Sequence, residues 1–539
     1  MATASPGNPD DPTPPTGPVG PDPDTDLTTP SHGVAAAVIL AAGAGTRMKS
    51  RRSKLLHEIA GRSLLNYAVD AAVEAGAEHV VVVVGHQRDQ VEAHLAEIAP
   101  HVTVAVQTDD AYGTGHAVRC GLRVLTERTG PLSGEVLVTY ADVPMLGSAT
   151  LTALVGAHRD AGASITVLTA EVDDPTGYGR IVRGEAGDVL GIVEHKDAGP
   201  AERAIREINS GIYVFAADVL TGALDELVPS PVTGELYLTD VLGIARRRHR
   251  PVRAHLTADR WEVEGVNDRV QLQRMGAEIN RRLLERWMLA GVTVVDPAST
   301  WVHADVDLAS DVTLLPNTSL EGATTVAEGA VIGPDVTLVD VEVGEGATVT
   351  RCQASLAVIG AGASVGPYAY LRPGTVLGAE GKIGTFVETK NARIGERAKV
   401  PHLTYAGDTE IGEGSNIGAG TIFANYDGVS KNPSSVGRDS FVGSGSVLIH
   451  PVEVGDGAYV AAGSAVTESV RPGQLGVARG RQRNVDGWVF RRRPDTRTAA
   501  AADRAGARPP DAADHAHHEQ EQQRTRGRDG APQDGGDQA

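Results

Sequence analysis

The sequence predicts an α/β domain with a parallel or mixed sheet, then one long helix, then a parallel β-helix. Apolar strand-like runs alternate with helical stretches over residues 34–260. Apolar side chains then follow the spacing of one helix face over residues 268–290, and from about residue 306 aliphatic residues begin to recur at every sixth position. A chain of 539 residues is too long for one hydrophobic core, so two or three domains are expected.

The α/β domain is predicted from five apolar runs and the helical stretches between them. The strand candidates are 34–42, 79–84, 102–107, 136–140 and 164–170, and the helical candidates include 64–75, 90–98 and 116–125. Strands that are buried on both faces read as continuous apolar runs, so this pattern favours a parallel sheet covered by helices on both sides. Ligands of such sheets bind beyond the carboxyl ends of the strands.

The long helix over 268–290 has recognisable ends. Asp268 is a suitable cap for its first turn, and Gly291 can end it. A single helix here would join the two domains. Its predicted apolar face consists of Leu272, Met275, Ile279, Leu283 and Trp287.

The last domain is predicted from a six-residue period, which fits neither the 3.6 of a helix nor the alternation of a strand. It is typical of a parallel β-helix in which three hexads close a triangular coil. We expect the aliphatic residue to point inward, a small residue such as Ala363 to fit the corner, and a glycine such as Gly360 to permit the turn geometry. At about 18 residues per coil, the stretch from Val306 to Val470 gives roughly nine or ten coils. The regular aliphatic positions are Ile359, Val365, Leu371, Leu377, Ile383, Ile411, Ile417, Val436, Val442, Leu448, Val454, Val460 and Val466.

Composition marks the two ends of the chain. Residues 1–33 are rich in Pro, Asp and Thr, and residues 488–539 are rich in Ala, Arg, Asp, Gln and Gly, so both are predicted to be disordered. The remaining boundaries place the α/β domain at 34–261, the linker helix at 262–291 and the β-helix at 292–487.

Charge and cysteine content exclude several classes of protein. The net charge of −20 argues against a general binder of nucleic acid or of anionic membranes. Cys120 and Cys352 are the only cysteines, so no disulfide framework is expected. The N-terminus does not read as a secretion signal, and no apolar run approaches membrane-spanning length. These observations predict a cytoplasmic protein.

A glycine-rich turn follows the first predicted strand. Residues 40–48 read Leu-Ala-Ala-Gly-Ala-Gly-Thr-Arg-Met, and such a turn lets backbone N–H groups approach phosphate oxygens. Met48 stands where a dinucleotide-binding fingerprint needs a third glycine, and a Walker loop would need Gly-Lys-Ser/Thr at its end. Five basic residues without an intervening acid then predict a polyphosphate ligand, with a solvated basic loop as the alternative. They are Arg47, Lys49, Arg51, Arg52 and Lys54.

Several short motifs in a fixed order carry a resemblance to a known family. They are Gln107 with residues 113–116, then 140–144, 174–180, 193–197, 207–211 and 263–267. With them, residues 34–487 resemble the bacterial bifunctional N-acetylglucosamine-1-phosphate uridylyltransferases/glucosamine-1-phosphate acetyltransferases. The implied fold class is an α/β nucleotidyltransferase domain with a Rossmann-like parallel or mixed sheet, a long linker helix and a left-handed parallel β-helix of hexapeptide repeats.

The resemblance implies a uridylyltransferase site in the α/β domain. Arg47 and Lys54 would stabilise charge on the triphosphate, and Asp142 with Asn267 would hold Mg²⁺. Gln107 and Thr114 would contact the uracil, and Gly179, Glu194 and Asn209 the sugar. Two positions depart from the family, since Ala44 replaces its usual lysine and Ala141 its usual glycine. The implied contacts to UTP or UDP-N-acetylglucosamine are Leu40, Ala41, Ala42, Gly43, Lys54, Gln107, Gly113, Thr114, Tyr140, Asp142, Gly179, Glu194, Asn209 and Asn267.

The β-helix has its own candidate site. The hexad period lapses between Phe423 and Val436, so residues 424–435 must leave the coil as a loop. Taken alone, His402 reads as a surface histidine at a coil corner. The resemblance makes it the general base for the sugar amine, with Glu388 orienting it. It also assigns Arg372, Lys390, Tyr405, Asn416 and Lys431 to the sugar phosphate, and Ala419, Asn425, Tyr426, Ser444, Ala462 and Arg479 to acetyl-CoA.

The leading hypothesis is therefore a bifunctional enzyme that acetylates glucosamine-1-phosphate with acetyl-CoA and then uridylylates the product with UTP. The resemblance also implies a homotrimer. One alternative is a monofunctional sugar-nucleotide pyrophosphorylase whose β-helix serves only assembly. A non-catalytic scaffold would be expected to lose Lys54, Asp142 and Asn267, which are present. A zinc hydratase is disfavoured because His402 and His450 lie far apart in the repeat.

Overall fold

The computed structural model describes residues 33–107, 111–185, 187–231 and 233–507. The predicted disorder of 1–33 therefore falls almost wholly outside the described residues, as does that of 508–539. The chain divides into two compact units, one up to Pro401 and one from His402.

The first unit begins with a nine-stranded sheet. The strands of this region, which include a separate short hairpin of β2 and β3, are β1 (Ala36–Ala41), β2 (Glu58–Ile59), β3 (Arg62–Ser63), β4 (Val80–Val84), β5 (Thr103–Val106), β6 (Glu135–Tyr140), β7 (Ile165–Glu171), β8 (Arg180–Arg183), β9 (Val189–Val193), β10 (Glu207–Ala216) and β11 (Val252–Thr257). The order across the sheet is β11-β7-β10-β6-β1-β4-β5, with β8 pairing with β10 and β9. The five strands predicted from the sequence are all present.

Helices cover both faces of this sheet. They are α1 (Leu64–Glu74), α2 (Arg88–Ile98), α3 (Thr114–Thr129), α4 (Ser148–Asp160), α5 (Pro200–Arg203), α6 (Ala217–Leu224) and α7 (Asp240–Arg247). One apolar cluster joins α3, α6 and α7 to the sheet, and another joins α1, α2 and α4 to it. The expected arrangement of helices on both sides is confirmed.

The sheet is mixed, whereas the apolar runs favoured a parallel one. Strand β10 runs antiparallel to both of its neighbours β6 and β7, and β8 with β9 forms an antiparallel pair. The register of β10 shifts between Asn209 and Tyr213. Gly211 lies within this irregularity with φ +80°, and a Cβ atom there would come within 2.3 Å of the Tyr140 ring. The polar residues of this irregular segment hid the strand from a search for apolar runs.

The predicted linker helix is α8 (Arg269–Leu289). The Asp268 side chain accepts hydrogen bonds from the backbone N–H groups of Val270 and Gln271, so the predicted cap is confirmed. Gly291 follows the helix with φ +99°. The apolar face differs slightly from the prediction, because Leu284 is buried whereas Trp287 is only partly so.

Asn280 fastens α8 to the beginning of the β-helix. Its side-chain Nδ2 donates to the Thr300 carbonyl at 2.8 Å, and its Oδ1 accepts from the Val302 backbone N–H at 3.0 Å. The side chain is buried, so both backbone groups depend on this one amide.

We expect Asn280→Ala to destabilise the protein by about 2 kcal/mol, because two buried backbone groups lose their partner. Thermal unfolding followed by circular dichroism measures the shift in Tm. The matched control is Gln273→Ala, which removes an exposed amide from the same helix. Equal midpoints for the two variants would contradict the prediction.

The first unit continues into short parallel strands. Successive coils pair in register, as between Trp301 and Ser319 or Thr313 and Val331. The strands are Thr293–Val294, Trp301–Val302, Asp307–Leu308, Thr313–Leu314, Thr318–Glu321, Thr325–Val326, Val331–Ile332, Val336–Val343, Thr348–Val349, Cys352–Ile359, Ser364–Val365, Ala369–Leu371, Val376–Leu377, Lys382–Thr385 and Glu388–Ile394. The repeat therefore begins earlier than the predicted Val306.

The second unit also consists of short parallel strands. One further strand, Lys399–His402, spans the boundary between the units. The strands of the second unit are Tyr405–Ile411, Asn416–Ile417, Ile422–Ala424, Ser434–Val436, Phe441–Val442, Val447–Ile449, Glu453–Val454, Tyr459–Val460, Ala465–Val466 and Leu475–Gly476. Each unit thus carries the parallel strands expected of a β-helix, and the aliphatic positions of the period are buried.

The reason for glycine after the aliphatic residue differs from the one expected. Gly360 does not have the positive φ of a left-handed turn. Instead, a Cβ atom there would lie 2.6 Å from the backbone of the next coil. Gly443 meets the same restriction, with its nearest neighbour at 2.4 Å. Close approach of successive coils therefore explains these glycines, while residues such as Asp335 and Asn391 adopt positive φ.

The chain beyond the last strand contains two short helices, α9 (Trp488–Arg492) and α10 (Arg497–Arg504). They lie in the part of 488–539 that the structure describes, within a segment expected to be disordered. Both cysteines are free and buried, and burial raises the pKa of the Cys352 thiol to about 12. Among the described residues, no helix is both long enough and apolar enough to cross a membrane.

Candidate active sites

A cavity of about 1400 Å³ opens beyond the carboxyl ends of β1, β4, β5 and β6. This is the edge at which the sequence placed the ligand. Twelve of the fourteen predicted nucleotide-sugar contacts line it. They are Leu40, Ala41, Ala42, Gly43, Lys54, Gln107, Gly113, Thr114, Tyr140, Asp142, Glu194 and Asn209.

The glycine-rich turn packs against Lys54, a basic residue that lines this cavity. Gly45 adopts φ +58°, and a Cβ atom there would lie 2.8 Å from Cβ of Lys54. The turn therefore folds closely against the segment that carries Lys54. Lys54 Nζ forms an ion pair with Asp142 Oδ2, and the two side chains are only 10% and 19% exposed. A cation and a carboxylate thus meet in the wall of the cavity.

Arg47 and Asn267 form a second pair beside the first. Arg47 Nη2 donates to Asn267 Oδ1 at 3.0 Å, although neither residue lines the cavity itself. The Val266 N–H donates to the Asp142 carbonyl at 2.8 Å. A Cβ atom built on Gly265 would lie 3.9 Å from both the Asn267 amide and the Asp142 carboxyl carbon. Asp142 and Asn267 are therefore neighbours, as the sequence predicted.

The other basic residues of the loop have different surroundings. Arg52 pairs with Glu58 at 2.6 Å, and both side chains are about half exposed. Lys49, Arg51 and Arg52 do not line the cavity. Ala44 does line it, at the position where the family usually has lysine. The five basic residues are therefore close together in the sequence, but of these five only Lys54 lines the cavity.

The residues assigned to the uracil also line the cavity. Gln107 Nε2 donates to the Gly113 carbonyl at 3.3 Å, and Thr114 Oγ1 accepts from the Leu238 N–H at 3.0 Å. Gly113 has φ +107°, and a Cβ atom there would approach the Leu236 carbonyl to 2.4 Å. The segment 235–239 therefore packs directly on the predicted uracil-binding turn.

The structure adds wall residues that the sequence reading missed. His86, Gln87, Arg88 and Asp89 begin or precede α2, and Tyr112, Glu235, Tyr237, Leu238 and Thr239 complete the wall. Residues 85–89 follow strand β4 directly, so their place at the carboxyl edge of the sheet was a signal that could have found them. The segment 235–239 follows no strand, and nothing in its local pattern marked it.

The predicted sugar contacts converge on strands β8, β9 and β10. The Asn209 N–H donates to the Gly179 carbonyl at 2.9 Å, and a Cβ atom on Gly179 would lie 3.4 Å from Glu194 Oε1. Asn209 Oδ1 accepts from the Tyr213 hydroxyl at 2.9 Å. Burial raises the pKa of Glu194, and the nearby Asp197 and Asp240 raise it further. Burial likewise raises the pKa of the Tyr140 hydroxyl.

A metal site in this region would have few protein ligands. The described residues contain no group of three or more His, Cys, Asp or Glu side chains placed to hold a metal ion. Asp142 and Asn267 provide two neighbouring oxygen donors. Such a pair fits Mg²⁺, which prefers oxygen ligands and is commonly held by one or two protein groups together with substrate phosphates.

The acetyltransferase candidates are divided between the two units. In the first unit, Arg372 Nη1 donates to Glu388 Oε1 at 2.9 Å, so the carboxylate expected to orient His402 is itself held by an arginine. Lys390 lies on the same strand as Glu388, two residues further on. Side chains two apart on a strand share one face, so Glu388 and Lys390 do as well.

In the second unit, His402 is exposed at the end of a strand. Its backbone carbonyl accepts hydrogen bonds from the Gly420 N–H and the Thr404 hydroxyl. Asn425 is buried, and its amide donates to Asp408 and, at 3.5 Å, to the Tyr405 hydroxyl. These bonds fix the backbone at 402 and the amide at 425 while leaving the imidazole accessible to a ligand.

The predicted excursion from the coil is confirmed. Thr409 pairs with Ser434, 25 positions later, whereas Phe441 pairs with Tyr459 after the usual 18. Within the excursion Tyr426 bridges to Lys431 in antiparallel fashion. The remaining predicted contacts lie on this unit as well, with Asn416 and Ala419 partly buried and Ser444, Ala462 and Arg479 exposed.

Fold and sites together define a class of protein: a nucleotidyltransferase domain joined to a hexapeptide-repeat transferase. The family models agree with both halves. The model of the MobA-like NTP transferase domain matches residues 37–259, and that of the bacterial transferase hexapeptide (six repeats) matches residues 433–468.

Relatives over nearly the whole fold identify the family. The chain is 54% identical over 473 residues to the bifunctional protein GlmU of Pseudarthrobacter chlorophenolicus, covering 88% of this chain and 96% of the relative. It is also 54% identical to the GlmU proteins of Kineococcus radiotolerans and Streptomyces avermitilis, covering 89% and 88% of this chain and 96% and 98% of those relatives. The chain belongs to the family of bifunctional GlmU proteins.

Proposed function

We propose that this chain catalyses two consecutive steps of UDP-N-acetylglucosamine synthesis. Its β-helix transfers the acetyl group of acetyl-CoA to glucosamine-1-phosphate, and its α/β domain then transfers uridylyl from UTP to the product. The observation that carries the proposal is the presence of both groups of residues in one chain that belongs to the bifunctional family. Small molecules are therefore its substrates.

Uridylyl transfer needs positioning and charge neutralisation. An oxygen of the sugar 1-phosphate attacks the α-phosphorus of UTP, and the bond from that phosphorus to the bridging oxygen of pyrophosphate breaks. No protein nucleophile takes part. Lys54 and Arg47 neutralise the charge that accumulates on the phosphates, since fixed cations are more effective in a partly enclosed site than in water. Gly179, Glu194 and Asn209 hold the sugar.

Asp142 and Asn267 would hold Mg²⁺ in this site. When bound, the ion neutralises negative charge on the phosphates. Both oxygen donors are already fixed in place by hydrogen-bonded cations, Asp142 by Lys54 and Asn267 by Arg47. The chain therefore presents the donors in a set orientation and places two cations next to the phosphates.

Acetyl transfer needs a base. The amine of glucosamine-1-phosphate attacks the thioester carbonyl of acetyl-CoA, a carbon–nitrogen bond forms, and the bond to sulfur breaks to release CoA. His402 takes the proton that the amine loses, a role for which imidazole is suited near neutral pH. Arg372, Lys390 and Lys431 bind the sugar phosphate, while Asn425 and the exposed residues 444, 462 and 479 contact acetyl-CoA.

Two assays on the purified protein test the proposal. CoA release is measured with glucosamine-1-phosphate and acetyl-CoA, and pyrophosphate release with UTP and N-acetylglucosamine-1-phosphate. Both are expected. Pyrophosphate release without CoA release would instead indicate a monofunctional pyrophosphorylase, an alternative that family membership and the residues at 402, 405, 425 and 431 disfavour.

A homotrimer is part of the proposal. Aromatic pairs that suit such an interface are exposed on the β-helix, including the stacked rings of Tyr368 and Phe386 at 5.5 Å and those of Phe441 and Tyr459 at 5.6 Å. Aromatic side chains are enriched where protein copies meet, which supports an assembly through this domain. Sedimentation equilibrium tests this proposal, and we expect a mass of three chains. A mass of one chain would contradict it. A cytoplasmic location stays a prediction from the sequence.

The raised pKa of Glu194 predicts a pH dependence of sugar binding. The ionised carboxylate accepts hydrogen bonds from sugar hydroxyls, so the KM for N-acetylglucosamine-1-phosphate should rise as the pH falls through that raised pKa. Glu194→Gln should have a higher KM that lacks this rise.

The KM for N-acetylglucosamine-1-phosphate is measured by pyrophosphate release from pH 8 down to pH 5, for the wild-type enzyme and for Glu194→Gln. The ratio of these two KM values isolates the effect of Glu194, because titration of the substrate phosphate is common to both enzymes. A ratio that stays constant over this range would show that Glu194 does not titrate in the relevant step.

A further inference from the structure

Arg180 is among the largest fully buried side chains of the residues that the structure describes, and it has an unusual environment for a cation. It is 1% exposed, and its guanidinium contacts a backbone carbonyl and a histidine ring rather than a carboxylate. Its Nε has no hydrogen-bond partner among the described residues. Burying an arginine without a directly paired carboxylate is costly, so its contacts need a specific explanation.

The guanidinium makes two contacts, and they join separate segments. Nη1 donates to the backbone carbonyl of Tyr178, and Nη2 lies 3.3 Å from Nδ1 of His195. For the second contact to be a hydrogen bond, Nδ1 must accept, so the single N–H of the neutral ring is on Nε2. One planar group thus connects the loop before β8 to the segment that follows β9.

Each connected point is next to a predicted sugar contact. Gly179 lies between Tyr178 and Arg180, and Glu194 immediately precedes His195. Arg180 pairs with Val193 and Ile208 in the sheet, so it is also one position away from the level of Asn209. A Cβ atom built on Gly179 would lie 3.4 Å from both Asn209 Cβ and Glu194 Oε1, so the other two sugar contacts lie next to Gly179.

We propose that Arg180, acting through His195 and the Tyr178 carbonyl, is a positioning residue for the sugar phosphate in uridylyl transfer. It does not touch the substrate. It fixes the distance between Gly179 and Glu194, so the sugar hydroxyls meet their acceptors without further ordering. This inference rests on the proposed function and assigns a role in the same site to a residue outside the cavity wall.

Arg180→Lys separates this role from a general effect on folding. Lysine keeps the charge but cannot reach two acceptors with one planar fork. We expect the KM for N-acetylglucosamine-1-phosphate to rise about tenfold, while the KM for UTP and kcat stay within about twofold. Arg183→Lys is the matched control on the same strand, because Arg183 pairs with Glu207 at the partly exposed edge and should leave all three constants unchanged.

His195 supplies a second variant that avoids the buried position. His195→Ala should raise the same KM, and His195→Gln, whose side-chain oxygen can accept from Arg180, should restore most of it. Combining Arg180→Lys with His195→Ala should add little to either change, since both break one connection.

The possible failures are distinguishable. A wild-type protein that releases no pyrophosphate counts against the proposed function itself. A wild-type enzyme that turns over, together with an Arg180→Lys variant whose KM for the sugar phosphate is unchanged, overturns the positioning role alone. Equal losses in both KM values and in kcat, or additive effects of the double variant, also overturn it, because they indicate a purely structural residue.

Discussion

Asp142→Asn is expected to lower the rate of uridylyl transfer by about a thousandfold, or roughly 4 kcal/mol in transition-state stabilisation. The variant keeps the size and one oxygen of the side chain but removes its negative charge. The charged carboxylate forms the ion pair with Lys54. It is also a stronger ligand for Mg²⁺ than the Asn267 amide, the other oxygen donor proposed for the ion. Acetyl transfer should remain at the wild-type rate, because its residues lie on the β-helix.

Pyrophosphate release at saturating substrates measures this effect, and CoA release from the same preparation measures the second activity. Asp173→Asn is a suitable control, since that carboxylate is 93% exposed and its pair with Arg206 lies at the surface. An Asp142→Asn variant with more than a tenth of the wild-type uridylyl rate would exclude this carboxylate as a metal ligand.

His402→Ala is expected to have the opposite profile. Loss of a general base typically reduces a rate by about 10²–10⁴, so acetyl transfer should fall by that factor. Uridylyl transfer should be unchanged. Folding should also be unaffected, because the imidazole is exposed and the hydrogen bonds described above at this position involve the backbone carbonyl.

The acetyl-transfer assay detects free CoA with a thiol reagent. His101→Ala, an exposed histidine of the α/β domain, controls for loss of an imidazole in general. If His402→Ala and Asp142→Asn impaired both activities equally, the description of two separate sites would be wrong. If His402→Ala retained full acetyl transfer, the base would have to be sought elsewhere on the β-helix.

Residues that follow a regular pattern were the most predictable. The apolar runs located strands β1, β4, β5, β6 and β7 to within two residues, and the position of Asp268 predicted the start of α8. The six-residue period identified the buried aliphatic positions of the β-helix because each hexad repeats one local environment. In these segments local sequence and tertiary packing require the same residues.

Features that depend on distant packing were not predictable in the same way. Strand β10 was missed because its register shift at 209–213 interrupts the apolar pattern, and this strand makes the sheet mixed. The wall segment 235–239 reaches the cavity through hydrogen bonds to residues 112–115, more than a hundred positions away. Likewise, the pairing of Arg47 with Asn267 and of Arg372 with Glu388 follows from the fold rather than from spacing.

The glycines between coils have a consequence for how this domain can change in length. Where a methyl group cannot enter between two turns of backbone, their separation is set near the strand spacing of about 4.8 Å. The domain can then lengthen along its axis only by whole coils. Each added coil would displace the coils that follow it by one strand spacing. An insertion of any other length must leave the coil as a loop, as the seven additional residues between Thr409 and Ser434 do. The spacing between coils is thus fixed, and extra residues are accommodated as loops that project from the sides of the stack.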